Sequence, residues 1–260
     1  MKYAIIGLGF IFPRHKEAIE KTGGEIILTC DIDPEKKADF TDYKEMLASE
    51  KFKEVNTVCI LTPNYLHSQM CRDVKGKTII CEKPLTIFDD FDGLEDVNVI
   101  LQLRKNPKVS QLRGRSQNID IKVKSYREPK YFDSWKGQEA LSGGILYNMG
   151  VHYIDLLGYL LGEPVEIKDS VYGSHKASGT ILFERGKGTY HIELSTEPCP
   201  VLRKIIINGV ETDLEGATIP LNDTGVVNLH TLVYKAILEG KGTKLSEARK
   251  SLDLIKQLNV

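Results

Sequence analysis

The sequence predicts an α/β protein in two parts. Residues 1–103 read as a doubly wound domain on a parallel sheet, and residues 104–260 as an α+β domain with one mainly antiparallel, open sheet. Three observations predict it. Five short apolar runs alternate with helical patterns through the first hundred residues. From residue 119 onward, apolar residues alternate with polar ones instead. Within the second region, the stretch from Gly143 to Gly162 holds no Lys, Arg or Glu.

The five runs are YAIIG (3–7), EIILTC (25–30), TVCILT (57–62), TIICE (78–82) and VILQL (99–103). They are apolar on both faces, as parallel strands covered by helices on each side must be. Helical patterns fill the gaps at Pro13–Lys21, Tyr43–Ser49 and Tyr65–Val74. IDIKVKSYR (119–127) then alternates, the mark of a strand with one wet face. GGILYNMGVHYIDLLGYLLG (143–162) reads as a helix buried on nearly all sides. Asn148, His152, Asp155 and Tyr159 nonetheless form a polar stripe on it, spaced i, i+4, i+7, i+11. VEIKDSVYG, SGTILFE, GTYHIELS and RKIIINGV follow as further alternating strands, and helices at His230–Leu238 and Ser246–Leu258 finish the chain.

With 260 residues, 41% hydrophobic and 27% charged, the chain is long enough for two domains of ordinary globular composition. A net charge of −1 without basic or acidic blocks points away from nucleic acid and anionic membranes. No apolar run reaches membrane-spanning length, and the N-terminal run is too short for a signal peptide. The five cysteines form no CxxC pair, and Cys30, Cys59 and Cys81 fall in expected strands, as in a reducing, cytoplasmic protein. No ligand cluster suggests a metal.

The first strand runs into GLGFIFP (7–13). Gly7 and Gly9 suit the tight turn that brings backbone against a pyrophosphate, although Phe12 replaces the third glycine of the fingerprint; an ordinary strand-to-helix turn is the alternative. Pro13 fits the first helical position. The second strand ends in CDID, with Asp31 twenty-four residues after Gly7. An acid there accepts a ribose hydroxyl and repels a 2′-phosphate, which favours NAD over NADP. Asp33 has the simpler role of capping a turn before Pro34. Phe10, Ile11 and Ile32 flank these positions and join them as cofactor contacts. LTPNYLH (61–67) and CEKPL (81–85) end two further strands at the same edge, adding Thr62, Pro63, Asn64, His67, Glu82 and Lys83. Lys83 either pairs with Glu82 or places its ammonium on a substrate hydroxyl, with a pKa lowered by burial.

GLGF, CEKP and GGILYNMGVHYID together resemble the glucose–fructose oxidoreductase/inositol dehydrogenase (Gfo/Idh/MocA) family of nicotinamide-dependent sugar oxidoreductases, over nearly the whole chain and in the right order. The resemblance implies an N-terminal Rossmann domain and a C-terminal antiparallel sheet whose opening helix carries a catalytic histidine. The family's common motif has Asp where this chain has Asn148. IFPRHKEAI, PNYLH, LQLR, SWKG, NMGVHYID and NLHTLVYKAILEGKG resemble one branch, the UDP-N-acetylglucosaminuronate 3-dehydrogenases, in which Asn is the usage at that position. Two departures stand against this: the chain looks shorter than typical members, and Phe12 is bulky.

By this resemblance, NAD is the cofactor and a UDP-N-acetyl-hexuronic acid the substrate. His152, facing the gap between domains, takes the proton from the C3 hydroxyl, and Lys83 hydrogen-bonds the same hydroxyl. Asp155 orients His152 or stabilises its cation, and Asn148 meets a sugar hydroxyl. Trp135 and Lys136 approach the cofactor or diphosphate, with packing as the equal alternative for Trp135. Arg104, His230, Thr231 and Tyr234 meet the sugar carboxylate or nucleotide, or else belong to an ordinary amphipathic helix in the case of His230 and Tyr234. The resemblance also implies a homodimer or homotetramer, NAD recycling on a keto acid such as 2-oxoglutarate, and a pyridoxal phosphate aminotransferase as pathway partner. Two other readings stay open: a dehydrogenase of a free polyol or aldose such as inositol or glucose, and a non-catalytic NAD-binding protein.

Overall fold

A computed structural model describes residues 1–115, 117–214, 219–220 and 226–259. The chain divides into two compact units, Met1–Ile100 with Thr218–Ser246, and Leu101–Ala217 with Glu247–Val260. The sequence reading placed everything after residue 103 in one second domain; residues 218–246 instead join the first unit.

In the first unit, strands β1 (Lys2–Ile6), β2 (Glu25–Cys30), β3 (Thr57–Ile60), β4 (Thr78–Cys81) and β5 (Asn98–Val99) form a parallel sheet in the order β2-β1-β3-β4-β5. The order reverses between β1 and β3, and ligands of open α/β sheets bind beyond the strand ends at such a point. The run expected as a strand over 99–103 pairs only at Asn98 and Val99. The Val99 N–H goes to the Thr243 carbonyl at 2.8 Å, and the chain turns into a 3₁₀ segment at Gln102–Lys105. Helix Phe12–Lys21 follows β1 with Pro13 in its first turn, where a missing N–H costs nothing. Helix Leu229–Leu238 starts at Asn228, whose side chain accepts the Thr231 N–H. It adds Val233 and Tyr234 to a core of Tyr3, Ile5, Ile19, Cys59, Ile80 and Ile100. Each large side chain buried there contributes about 1.5–3 kcal/mol, which is what holds this distant segment to the sheet.

The second unit is a six-stranded sheet of β6 (Asn118–Tyr126), β7 (Pro164–Tyr172), β8 (Lys176–Phe183), β9 (Gly186–Ser195), β10 (Leu202–Ile207) and β11 (Val210–Glu211), ordered β11-β10-β6-β9-β8-β7. All pairs are antiparallel except β6 with β9, which run parallel from Asn118 to Tyr126. The alternation buries Ile119, Ile121, Val123, Tyr190, Ile192 and Leu194 on one face. The expected long helix is interrupted. Gly143, at φ 78°, ends a short helix Glu139–Ser142; a π-helical turn spans Leu146–Gly150, and regular α-helix runs from Val151 to Leu161. Gly150 lets this helix sit close on the sheet, since a β-carbon there would lie 3.1 Å from Ile192 Cδ1. Among the described residues, no helix is long and apolar enough to cross a membrane.

Candidate active site

At the end of β1, Gly7 takes φ +98°, and a β-carbon on it would lie 2.8 Å from the Leu61 carbonyl oxygen. Only glycine fits this approach between the β1 and β3 exits. Gly9 faces the opposite condition: a β-carbon there meets nothing within 4 Å. Its backbone borders open space at the switch point. The Asp31 carboxylate stands beside it, accepting N–H bonds from Leu8 at 2.6 Å and Asp33 at 2.9 Å. Each oxygen keeps a second lone pair for a hydroxyl. Asp33 caps the turn at Pro34 by accepting the Glu35 N–H. Phe10 and Ile32, both large and apolar, are 86% and 88% exposed at this edge, while Ile11, Thr62 and Pro63 are partly buried.

These features fit a dinucleotide: a glycine turn with open space above it, an acid at the tip of β2, and uncovered apolar side chains on either side. Gly7, Gly9 and Asp31 would hold the pyrophosphate and ribose, and Asp31 has no cation within the CDID string to receive a 2′-phosphate.

Other residues of this edge turn inward. Asn64 and His67 are buried. His67 places Nδ1 2.7 Å from the Pro84 carbonyl and Nε2 2.8 Å from that of Thr62, so it ties the β3 and β4 exits together. Burial lowers its pKa, against the raising effect of both carbonyls. Lys83 is partly buried at the β4 exit, before a cis peptide to Pro84. Glu82 is buried and does not project to the edge. Its Oε1 lies 3.0 Å from His15 Nε2 and 3.6 Å from His230 Nε2. His15 Nδ1 is 2.8 Å from the Tyr234 hydroxyl, itself 3.2 Å from Cys59 Sγ. Burial alone would raise the Glu82 pKa, but the hydrogen bond from His15 and the nearby His230 ring bring it well below the usual carboxylate range.

His230 and Tyr234, expected at the substrate, are therefore interior groups of the first unit, at 2% and 0% exposure; Thr231 is buried beside them. Sequence reasoning missed His15; Cys59 lies buried in a strand as expected, with its thiol on Tyr234. The signal for His15 was its place on one helical face with Ala18 and Ile19, at i, i+3 and i+4, all of which are buried. The atoms of His15, Glu82 and His230 lie within 4.8 Å of one another, a set that could also hold a metal ion.

In the second unit, His152 is half-buried near the start of the regular helix, with Nε2 3.5 Å from the Gln102 amide nitrogen. An amide N–H directed there leaves Nε2 as the lone-pair side of the ring. Asp155 does not serve His152. Three residues along an α-helix, a side chain is rotated by about 60°, and this one points inward. Its carboxylate accepts from Arg104 Nε at 2.8 Å, Arg104 Nη2 at 2.6 Å and Ser251 Oγ at 2.5 Å. Arg104 gives Nη1 to Glu247 at 2.7 Å and lies 4.9 Å over the Tyr159 ring. Its guanidinium is spent on this buried network rather than presented to a carboxylate ligand, and Tyr159 completes it from the stripe.

Asn148 donates to the Tyr131 hydroxyl at 2.9 Å. It lines a pocket of about 160 Å³ with Tyr131, Lys136, Glu139 and His175. Lys136, whose pKa burial and then Arg127 lower, lies 5.9 Å over the Tyr131 ring and 5.8 Å over that of Trp135. Lys136 and Asn148 thus share one pocket, while Trp135 packs against the ammonium without lining it.

A doubly wound domain with a dinucleotide edge, followed by an open sheet carrying the GG-x-L-x-x-x-G-x-H-x-x-D helix, defines a nicotinamide-dependent oxidoreductase architecture. Family profiles agree: residues 1–110 match the NAD-binding Rossmann fold of the Gfo/Idh/MocA oxidoreductases and residues 115–231 their C-terminal α/β domain. The chain belongs to that family. The WlbA (WbpB) dehydrogenase of Thermus thermophilus, solved with NAD and α-ketoglutarate and with NAD and UDP-GlcNAcA, superposes at a TM-score of 0.83 with 26% identity, covering 100% of this chain and 95% of that one. Myo-inositol 2-dehydrogenase of Thermotoga maritima is 26% identical over 196 residues, 64% of this chain and 56% of that protein. The 2,7-anhydro-N-acetylneuraminate hydratase of Escherichia coli is 24% identical over 69% of this chain and 54% of its own. The chain thus spans little more than half the length of these two relatives.

Proposed function

We propose that the protein is an NAD-dependent dehydrogenase that oxidises the 3-hydroxyl of a UDP-linked N-acetyl-hexuronic acid in surface-polysaccharide synthesis. The observation that carries the reading is the likeness over the full chain, at 26% identity, to a dehydrogenase solved with NAD and UDP-GlcNAcA. When bound, NAD supplies the hydride acceptor. His152, acting as a neutral imidazole, accepts the hydroxyl proton at Nε2, and the Lys83 ammonium donates a hydrogen bond to the same oxygen as negative charge develops. Asn148 and Lys136 are assigned to the sugar nucleotide, and the buried Arg104–Asp155 network holds the helix that carries His152. Regeneration of NAD by reduction of a keto acid such as 2-oxoglutarate, delivery of the 3-keto product to a pyridoxal phosphate aminotransferase, a cytoplasmic setting and homo-oligomers belong to the same reading.

The inositol dehydrogenase relative favours a second reading, oxidation of a free polyol. A non-catalytic NAD-binding protein gives no role to Lys83 and His152 together. Thermal unfolding with NAD, NADP, UDP and UDP-GlcNAcA separates these, because a ligand at one hundred times its Kd stabilises by about 2.7 kcal/mol. Stabilisation by NAD and UDP is expected, along with turnover of the sugar acid or, with 2-oxoglutarate added, its reduction. His152→Ala should lower turnover about 10²–10⁴-fold. Stabilisation by NAD but by no UDP compound would reject the nucleotide-sugar substrate in favour of a free polyol.

A further inference from the structure

The proposed reaction leaves the buried chain of Cys59, Tyr234, His15 and Glu82 without a task, and all four lie within the first unit. Their hydrogen bonds run in one direction. Burial pushes the Cys59 thiol up to about 12, so it keeps its hydrogen and donates to the Tyr234 oxygen. Burial lowers the His15 pKa and holds the ring neutral, with one N–H to give. The ionised Glu82 takes that N–H from Nε2, which makes Nδ1 the acceptor of the Tyr234 O–H. The other Glu82 oxygen accepts the backbone N–H of Lys83 at 3.2 Å.

We propose that His15 and Tyr234 are positioning residues for Lys83: they fix the His15 tautomer and the Glu82 carboxylate, and Glu82 pins the backbone from which the Lys83 ammonium projects. Removing the Tyr234 hydroxyl takes away the donor that keeps Nδ1 unprotonated. Held then from the Glu82 side alone, the ring can turn, and the His15–Glu82 hydrogen bond weakens. The effect on catalysis rests on the role assigned to Lys83 above, but the effect on Lys83 itself does not.

The test uses the full chain as wild type, Tyr234→Phe and Glu82→Gln. Each is treated with an amine-acetylating reagent, and Lys83 is followed by peptide mass spectrometry with the other lysines as internal standards. Because this needs no substrate, it reads the positioning role whether or not the nucleotide sugar is turned over. Lys83 acetylation should rise about fivefold in both variants, the equivalent of one lost net hydrogen bond. Where the sugar acid is turned over, kcat should fall about 10–100-fold with KM little changed, as for a slightly misplaced group. Stabilisation by NAD should persist. Should Tyr234→Phe fail to fold, Glu82→Gln alone decides. An unchanged Lys83 rate in a folded variant would overturn the proposal. So would one equivalent of zinc in the purified protein by elemental analysis, which would make His15, Glu82 and His230 a ligand set.

Discussion

Gly7 and Gly9 lie two residues apart in one turn, and a side chain harms each for a different reason. At Gly7 the backbone is left-handed, and the new carbon meets the Leu61 carbonyl oxygen at the exit of β3, which cannot swing aside. Gly7→Ala should therefore cost about 2–4 kcal/mol in urea denaturation, the sum of backbone strain and overpacking. At Gly9 nothing stands in the way within the protein. Gly9→Ala should leave stability within roughly 0.5 kcal/mol yet weaken NAD binding by calorimetry, because the methyl group occupies the space meant for the pyrophosphate. Equal binding by wild type and Gly9→Ala would remove the glycine turn from the cofactor site. The two substitutions separate folding from binding at neighbouring residues.

The helix Val151–Leu161 makes the comparable point for an element. The absence of Lys, Arg and Glu across Gly143–Gly162 correctly marks it as buried, but the polar residues do not act as one stripe: Asn148 sits in the π-helical turn against Tyr131, and Asp155 points inward to Arg104. Its partners were not legible, because they come from far along the chain: Arg104 precedes Asp155 by 51 residues, and Ser251 follows it by 96. The π-helical turn was equally hidden, since no local residue choice demands it. Strands β1 to β4 were legible because each is apolar on both faces; the parallel β6–β9 pair was not, because alternation reports burial and not direction. His15, Glu82 and His230 meet only through tertiary packing, so spacing suggested no cluster. Asp155→Ala leaves the Arg104 charge buried without its main partner, and should cost about 3–5 kcal/mol. The double variant Arg104→Met/Asp155→Leu should recover roughly half or more of that loss, since well-packed apolar pairs replace buried ion pairs at little cost. Turnover by the double variant should stay within about tenfold of wild type. A loss near the roughly 10⁴-fold seen when a histidine loses its orienting carboxylate would return Asp155 to the role of His152's partner.

The largest difference between the linear reading and the molecule is the return of residues 218–246 to the first unit. A break at residue 103 follows the change of hydrophobic rhythm, but rhythm carries no information on which core a late helix completes. Helix Leu229–Leu238 brings two fully enclosed side chains, Val233 and Tyr234, against Tyr3, Ile5 and Ile19. It also brings the hydroxyl bonded to His15 and an imidazole 3.6 Å from Glu82. A fragment of residues 1–103 would uncover that apolar surface and leave a buried carboxylate with one partner fewer, at several kcal/mol in all. Whole domains are stable by only about 5–15 kcal/mol, so a deficit of this size is decisive. The fragment should lack a cooperative thermal transition and should not respond to NAD. The same fragment joined through a flexible linker to residues 218–246 should regain both, measured by calorimetry with and without NAD. Cooperative unfolding of residues 1–103 alone, with NAD stabilisation intact, would mean that the returning helix covers a sheet already able to stand without it.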